Sequence, residues 1–267
     1  MIGIIIATLI VGGVGLLIGI LLGIAGEKFK VQTNEKEENI LGLLPGNNCG
    51  GCGYAGCAAL AKAIADGQAP ANGCPVGGEK TANEIAAVLG VEVENVKKVA
   101  FVKCAGDCES TKDRYEYSGN LSCREAVYLA GGNKSCKYGC LGYGSCVTAC
   151  EFGAISIVKG IAKINEELCV ACGKCVKTCP KGLIELVPYE SEIRVACSSK
   201  DKGKEVMAAC KKGCIACKMC EKVCESEAIT VKDNIAHIDY SKCTKCKKCA
   251  EKCPKKIITI SEKESEE

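Results

Sequence analysis

Cys214, Cys217, Cys220 and Cys224 follow one another with two, two and three residues between them, and Cys243, Cys246, Cys249 and Cys253 repeat that spacing, with Pro254 after the last. A run of this kind gives three thiolates to one [4Fe-4S] cluster and its fourth to another. The spacing therefore assigns Cys214, Cys217, Cys220 and Cys253 to one cluster, and Cys243, Cys246, Cys249 and Cys224 to a second. Disulfides fit poorly, because the count of 25 cysteines is odd and their spacing is that of cluster ligands. Zinc also accepts four thiolates and is the competing reading for any single set.

The chain repeats itself. Cys123, Cys136, Cys140, Cys146, Cys150, Cys169, Cys172, Cys175 and Cys179 each have a partner at one constant offset, at Cys197, Cys210, Cys214, Cys220, Cys224, Cys243, Cys246, Cys249 and Cys253. From about residue 119 onward the chain reads as a duplicated unit. Each copy carries the same alternating apolar pairs, 155–157 with 161–164 and 229–231 with 235–238, around a Gly160 or Asn234 turn. These read as β-hairpins, and the runs 183–187 and 257–260 as a third strand. This is the frame of a bacterial two-cluster ferredoxin.

The first copy departs from the pattern at one position. Cys169, Cys172, Cys175 and Cys150 make a complete set, but Tyr143 stands where the second copy has Cys217, so Cys140, Cys146 and Cys179 lack a partner. Cys136, one helical turn upstream, is the expected fourth ligand; a three-cysteine cluster is the alternative. Against Cys136 stands its counterpart Cys210, in a copy whose set is already full. Cys104, Cys108, Cys123, Cys197 and Cys210 are left over. They could serve a sixth cluster, built from Cys104, Cys108, Cys123 and one more, or be buried thiols that only pack.

Nearer the N-terminus, Cys49, Cys52 and Cys57 lie in the glycine-rich stretch C-G-G-C-G-Y-A-G-C, and Cys74 precedes Pro75 after an alanine-rich helical stretch at 58–66. Glycine lets backbone amides approach an inorganic core and stabilise its thiolates. These four make one more [4Fe-4S] set, with a zinc site as the alternative. Residues 31–40 read as a polar linker, and 79–99 as a helix and a valine-rich strand.

Ile2 to Ala25 run without a charge. At ~1.5 Å per residue that helix reaches ~36 Å, enough to cross a ~30 Å hydrocarbon core. A signal peptide is the alternative, but no basic region precedes the stretch. Lys28 and Lys30 follow it, which places the rest of the chain in the cytoplasm, in agreement with reduced thiolates. Gly15, Gly19 and Gly23 offer a seam for another membrane helix.

The expected architecture is α+β: a transmembrane anchor (1–26), a linker (27–45), a four-cysteine cluster domain (46–100), a connecting segment with extra cysteines (101–134), and two tandem ferredoxin-like units (135–193 and 194–267). Five [4Fe-4S] clusters follow, with material for a sixth. No dinucleotide fingerprint, P-loop or nucleophile motif accompanies them, so the chain reads as an electron carrier without a catalytic residue of its own. His237 alternates with Ile235 in a strand and reads as a surface residue. A net charge of +3, without interleaved aromatic and basic residues, argues against nucleic acid. Lysines gather near the last clusters, Lys218, Lys222, Lys245, Lys247, Lys252 and Lys255 among them, and read either as a face that steers an acidic redox partner or as a solvated face interspersed with Glu.

The order of a single anchor, L-P-G-N-N-C-G-G-C-G-Y-A-G-C with Cys74-Pro75, and then ferredoxin units resembles the B subunit of the Rnf complex, the ion-translocating ferredoxin:NAD oxidoreductase. C-x3-C-L-G-Y-G-S-C at 136–146 and the doubled unit resemble the longer clostridial form. The resemblance implies electron entry from soluble reduced ferredoxin, relay through the clusters to other subunits of a membrane redox complex, and coupling to Na+ or H+ export. A membrane-anchored polyferredoxin serving another reductase or a hydrogenase is the alternative.

Overall fold

The computed structural model describes residues 2–28, 35–93, 96–120 and 122–261. It opens with helix α1 (Ile2–Lys28), whose apolar side chains, such as Leu16, Leu17 and Leu22, are exposed. Among the described residues no helix is long and apolar enough to cross a membrane. The expected anchor thus rests on the sequence alone. Part of the expected linker, 29–34, lies outside the described residues.

The remainder of that linker is helical. In α2 (Glu35–Leu43) the charged first turn faces out while Ile40 is fully buried, and this side chain holds the segment on α3 (Cys57–Ala65). Leu60 and Ile64 of α3 and Ile85 of α4 (Gly78–Leu89) complete this small core. The polar composition of 31–40 had hidden one buried isoleucine that makes it part of the first domain.

Strand β1 (Lys98–Val102) leads into a loop-rich segment with the short helix α5 (Cys123–Tyr128). The first ferredoxin-like unit then runs α6 (Ser145–Thr148), β2 (Ile155–Val158), β3 (Ile161–Ile164), α7 (Lys174–Thr178) and β4 (Ile184–Pro188). The second runs β5 (Ile193–Val195), α8 (Gly203–Ala209), α9 (Met219–Lys222), β6 (Ile229–Lys232), β7 (Ile235–Ile238), α10 (Lys248–Glu251) and β8 (Ile258–Ile260).

Both hairpins form as expected, β2 with β3 and β6 with β7, antiparallel. Their turn residues, Lys159 and Gly160 in one and Asp233 and Asn234 in the other, all have positive φ, as a tight two-residue hairpin turn requires. The third strand of each unit pairs with a strand that precedes the unit's first cysteine run. β4 pairs with β1, and β8 with β5. β1 straddles the expected boundary at 100/101, and its Val99, Ala100 and Val102 are buried against β4.

These pairings set the true correspondence between the units. Val102 faces Ile184, and Val195 faces Ile258, the repeat partner of Ile184. Lys103 N–H donates to Leu183 O, as Ala196 N–H does to Ile257 O. Cys104, not Cys123, is therefore the counterpart of Cys197. The other eight cysteine pairs of the repeat keep their match, while Cys123 lies in extra chain that the second unit lacks.

Candidate metal centres

Each ferredoxin-like unit holds two cavities ringed by cysteine. In the second unit Cys214, Cys217, Cys220 and Cys253 line one, and Cys224, Cys243, Cys246 and Cys249 the other. In the first unit Cys150, Cys169, Cys172 and Cys175 line one cavity. Cys224 lines the cavity of the later run, and Cys253 that of the earlier one. Four short helices make this arrangement possible. Cys146, Cys175, Cys220 and Cys249 are buried on α6, α7, α9 and α10, one per helix, and each helix is preceded by a residue with positive φ that turns the loop back around its cavity.

The fourth cavity is lined differently from the expected set. It is lined by Cys140, Cys146, Cys179 and Cys123. Cys136, expected there, is on a different cavity, with Cys104, Cys197 and Cys210. Cys123 N–H donates to Ser145 Oγ at 2.9 Å, which pins the start of α5 to the start of α6. The signal that could have located Cys123 was the surplus of chain: the stretch from Cys104 to Cys136 is more than twice as long as that from Cys197 to Cys210.

The same neighbours shift the thiol pKa values. Burial, followed by Cys140, Cys123 and Cys179, pushes Cys146 up to about 12. Burial, with Cys169, Cys172 and Cys150 adding, pushes Cys175 up to about 11. Cys220 reaches about 11 through burial and Cys214, Cys217 and Cys253. Cys136 is raised by burial, with Cys104 and Cys210 adding. Thiols crowded in this way hold their protons until a cation takes their place, and ligation releases those protons. Among the described residues no three His, Cys, Asp or Glu side chains converge closely enough to hold one metal ion. Thiols spread around a cavity suit the corners of a cube better than a single tetrahedral zinc.

In the N-terminal domain Cys57 opens α3, its N–H held at 2.8 Å by Asn48 Oδ1. Cys52, Cys57 and Cys74 belong to one packed cluster. Burial raises the Cys74 thiol, with Cys57 and Cys52 adding, while it accepts Gly77 N–H at 3.3 Å. This loop touches the first ferredoxin-like unit: a Cβ on Gly51 would stand 3.1 Å from both Cβ and O of Cys172. Cys108 is exposed and lines none of these cavities. The lysines near the last clusters are largely exposed, and Lys247 and Lys248 pair with Glu192 and Glu225.

Three families match segments of the chain: an Fe-S cluster family over residues 44–76, the 4Fe-4S dicluster domain over 213–257, and the 4Fe-4S binding domain over 162–185. The dicluster family thus covers the unit that keeps Cys217, and the 4Fe-4S binding domain part of the unit that has Tyr143. Among whole proteins, the chain is 48% identical to the B subunit of the ion-translocating oxidoreductase complex of Methanosarcina acetivorans, over 88% of this chain and 90% of that one. It is 46% identical to the B subunit of the Na(+)-translocating ferredoxin:NAD(+) oxidoreductase complex of Acetobacterium woodii, over 88% and 71%. With the B subunit of the proton-translocating ferredoxin:NAD(+) oxidoreductase complex of Clostridium ljungdahlii the identity is 38%, over 86% and 82%. Likeness at this level over nearly the whole chain means that this protein belongs to the family of Rnf complex B subunits.

Proposed function

We propose that this chain is the electron-transfer subunit of a membrane-bound, ion-translocating ferredoxin:NAD+ oxidoreductase, accepting electrons from reduced ferredoxin and passing them to other subunits of the complex. The observation that carries the reading is the likeness to such B subunits over 88% of the chain. In this reading five [4Fe-4S] clusters sit on five cysteine sets: Cys49, Cys52, Cys57 and Cys74; Cys150, Cys169, Cys172 and Cys175; Cys123, Cys140, Cys146 and Cys179; Cys214, Cys217, Cys220 and Cys253; and Cys224, Cys243, Cys246 and Cys249. When bound, such clusters supply one-electron chemistry, and the protein's part is to space them and tune them.

Backbone donors contribute to that tuning. Ala100 N–H reaches Cys169 Sγ at 3.3 Å and Leu183 N–H reaches Cys179 Sγ at 3.4 Å, both stabilising thiolate charge. The Gly51–Cys172 approach puts the N-terminal cluster loop against the Cys169 set, making that domain one end of the relay. We assign the two ferredoxin-like units to 98–188 and 193–260, and the loop-rich stretch between β1 and α6 to the first. α1 is the anchor, spanning the membrane once, with Lys28 and Lys30 keeping the cluster domains on the cytoplasmic side. The test is to mix the anaerobically reconstituted chain with reduced ferredoxin. Bleaching of its cluster absorbance at the ferredoxin's expense is expected, and failure to oxidise any ferredoxin would overturn the reading.

A further inference from the structure

The fifth cysteine-ringed cavity lies between the two ferredoxin-like units. Cys104, Cys136, Cys197 and Cys210 line it, with an empty volume of about 390 Å³, against about 320 to 380 Å³ for the four cavities inside the units. Its thiols come as matched pairs. Cys104 corresponds to Cys197 through the β1–β4 and β5–β8 registers, and Cys136 to Cys210 through the sequence repeat. The contacts around it are reciprocal too: Ala105 N–H donates to Ala196 O, and Ser198 Oγ–H to Lys103 O, where Ala105 matches Ser198 and Lys103 matches Ala196. Contacts of this kind, i to j and j to i, mark a two-fold interface. A cubic cluster has two-fold axes, so four thiols in this arrangement can serve its corners alike.

A second observation points into the same cavity. Thr111, one of the lining residues, is 4% exposed, and its buried Oγ1 has no hydrogen-bond partner. A buried hydroxyl in a native protein has a partner, and an inorganic sulfide or thiolate is an acceptor it can use. Gly106 keeps the wall open beside it, since a Cβ there would stand 2.9 Å from Thr111 Oγ1 and 3.2 Å from Cys210 Sγ.

We propose that Cys104, Cys136, Cys197 and Cys210 hold a further [4Fe-4S] cluster at the junction, ligated equally by both units and linking the first unit's clusters to the second's. Each flank carries the same connection. Cys140 N–H donates to Cys104 Sγ at 3.4 Å, and Cys214 N–H donates to Cys197 Sγ at 3.4 Å, so on each side a junction thiol is bonded to the backbone of a neighbouring cluster's ligand. Each transfer moves one electron from a reduced cluster to an oxidised one, with no bond made and no proton moved. The linking role rests on the electron-relay reading above; the ligand set does not. Cys108 stays outside every set.

Iron and sulfide analysis with EPR of the anaerobically purified full chain tests this. The wild type is expected to hold about 24 Fe, and Cys136→Ser and Cys210→Ala each about 20, with the signals of the other clusters kept. Unchanged iron in both variants would overturn the proposal, as would loss of about one zinc per chain at constant iron. Should a cysteine variant lose most of its iron, Thr111→Val decides: full iron with one midpoint potential displaced supports the site, and six unmoved potentials reject it. An intact junction cluster in a protein that no ferredoxin reduces would sink the functional reading and leave this ligand set standing.

Discussion

In the second ferredoxin-like unit Cys217 is exposed on the loop between Cys214 and Cys220, and every cysteine lining its cavity comes from the run itself or is the crossing Cys253. In the first, Tyr143 holds that loop position and Cys123 reaches the cavity from a separate segment. The exchange is coupled. Tyr143 packs against Tyr117, with ring centroids 5.2 Å apart, and Tyr117 belongs to the same extra stretch that delivers Cys123. Further along, Arg114 donates to the carbonyls of Ala130 and Gly132, and Tyr115 Oη to that of Leu129, closing the stretch on itself. The residue at the loop position of Cys217 thus packs on the stretch that brings Cys123 to the cavity. A cluster constrains where its four sulfurs stand and leaves open which part of the chain brings them.

The largest effect should come from breaking that exchange. Cys123→Ala is expected to remove about four Fe, or to leave a three-iron cluster, in the first unit only, whereas Cys136→Ala should leave that unit's two EPR signals intact. Adding Tyr143→Cys to Cys123→Ala should restore the lost iron by giving the first unit the second unit's ligand set. If the double variant stays depleted, the loop at 143 does not follow the loop at 217, and the comparison fails at its root.

Much of this was legible in the sequence. The crossed sets, both hairpins and the duplicated frame followed from spacing and alternation, because a cluster's ligands must recur at fixed intervals and a half-buried strand must alternate. The assignment of Cys123 was not legible, for a specific reason. Its offset from Cys197 coincides with that of the repeat, so it read as a counterpart when it sits in inserted chain. Only the β1–β4 and β5–β8 pairings show Cys104 in the equivalent place. Strands such as β1 and β4, with a whole cluster unit between them in the chain, leave no local pattern when they pair. Ile40 escaped notice similarly, since a single buried side chain in a charged helix has no period.

A smaller effect is expected where the units meet asymmetrically. Arg194 is 2% exposed; it pairs with Glu166 through both terminal nitrogens, donates Nε–H to Ser191 O at 3.0 Å, and lies 5.4 Å from the ring of Phe101. By the strand registers Phe101 is the counterpart of Arg194, and the repeat matches Glu166 with Tyr240. The two positions that hold an ion pair in one half are thus held by Phe101 and Tyr240 in the other. Arg194→Phe alone strands a carboxylate that is 24% exposed and should cost about 3 kcal/mol, the low end for breaking a buried pair. Arg194→Phe with Glu166→Tyr should recover most of that, because replacing a whole buried pair is often neutral. Thermal unfolding of the two variants checks this, and equal losses in both would show that the halves cannot be interchanged.

Gly51 tests how the first unit differs from the second at its outer end, since it joins the N-terminal domain there. Gly51→Val should push the two loops apart without removing a ligand. Full iron is expected, with electron exchange between the N-terminal cluster and the Cys169 set slowed several-fold in rapid-mixing experiments. An unchanged rate would mean that this contact is not on the path.

The smallest effect is expected at a feature the two units share. Glu151 pairs with Lys174, and their repeat partners Glu225 and Lys248 form the same pair, each tying a helix that carries a ligand to the loop after the other run. The first pair is the more sheltered, with side chains 27% and 60% exposed, against 51% and 82% in the second. Both keep water around them, and exposed ion pairs gain little beyond what salt screens away. Glu225→Gln should therefore leave the unfolding temperature where it is at any ionic strength. Glu151→Gln should lower it only slightly, and only at low salt. A larger loss for Glu225→Gln would mean that the pair helps to place Cys224 or Cys249, and would make the regular unit the one that depends on its surface.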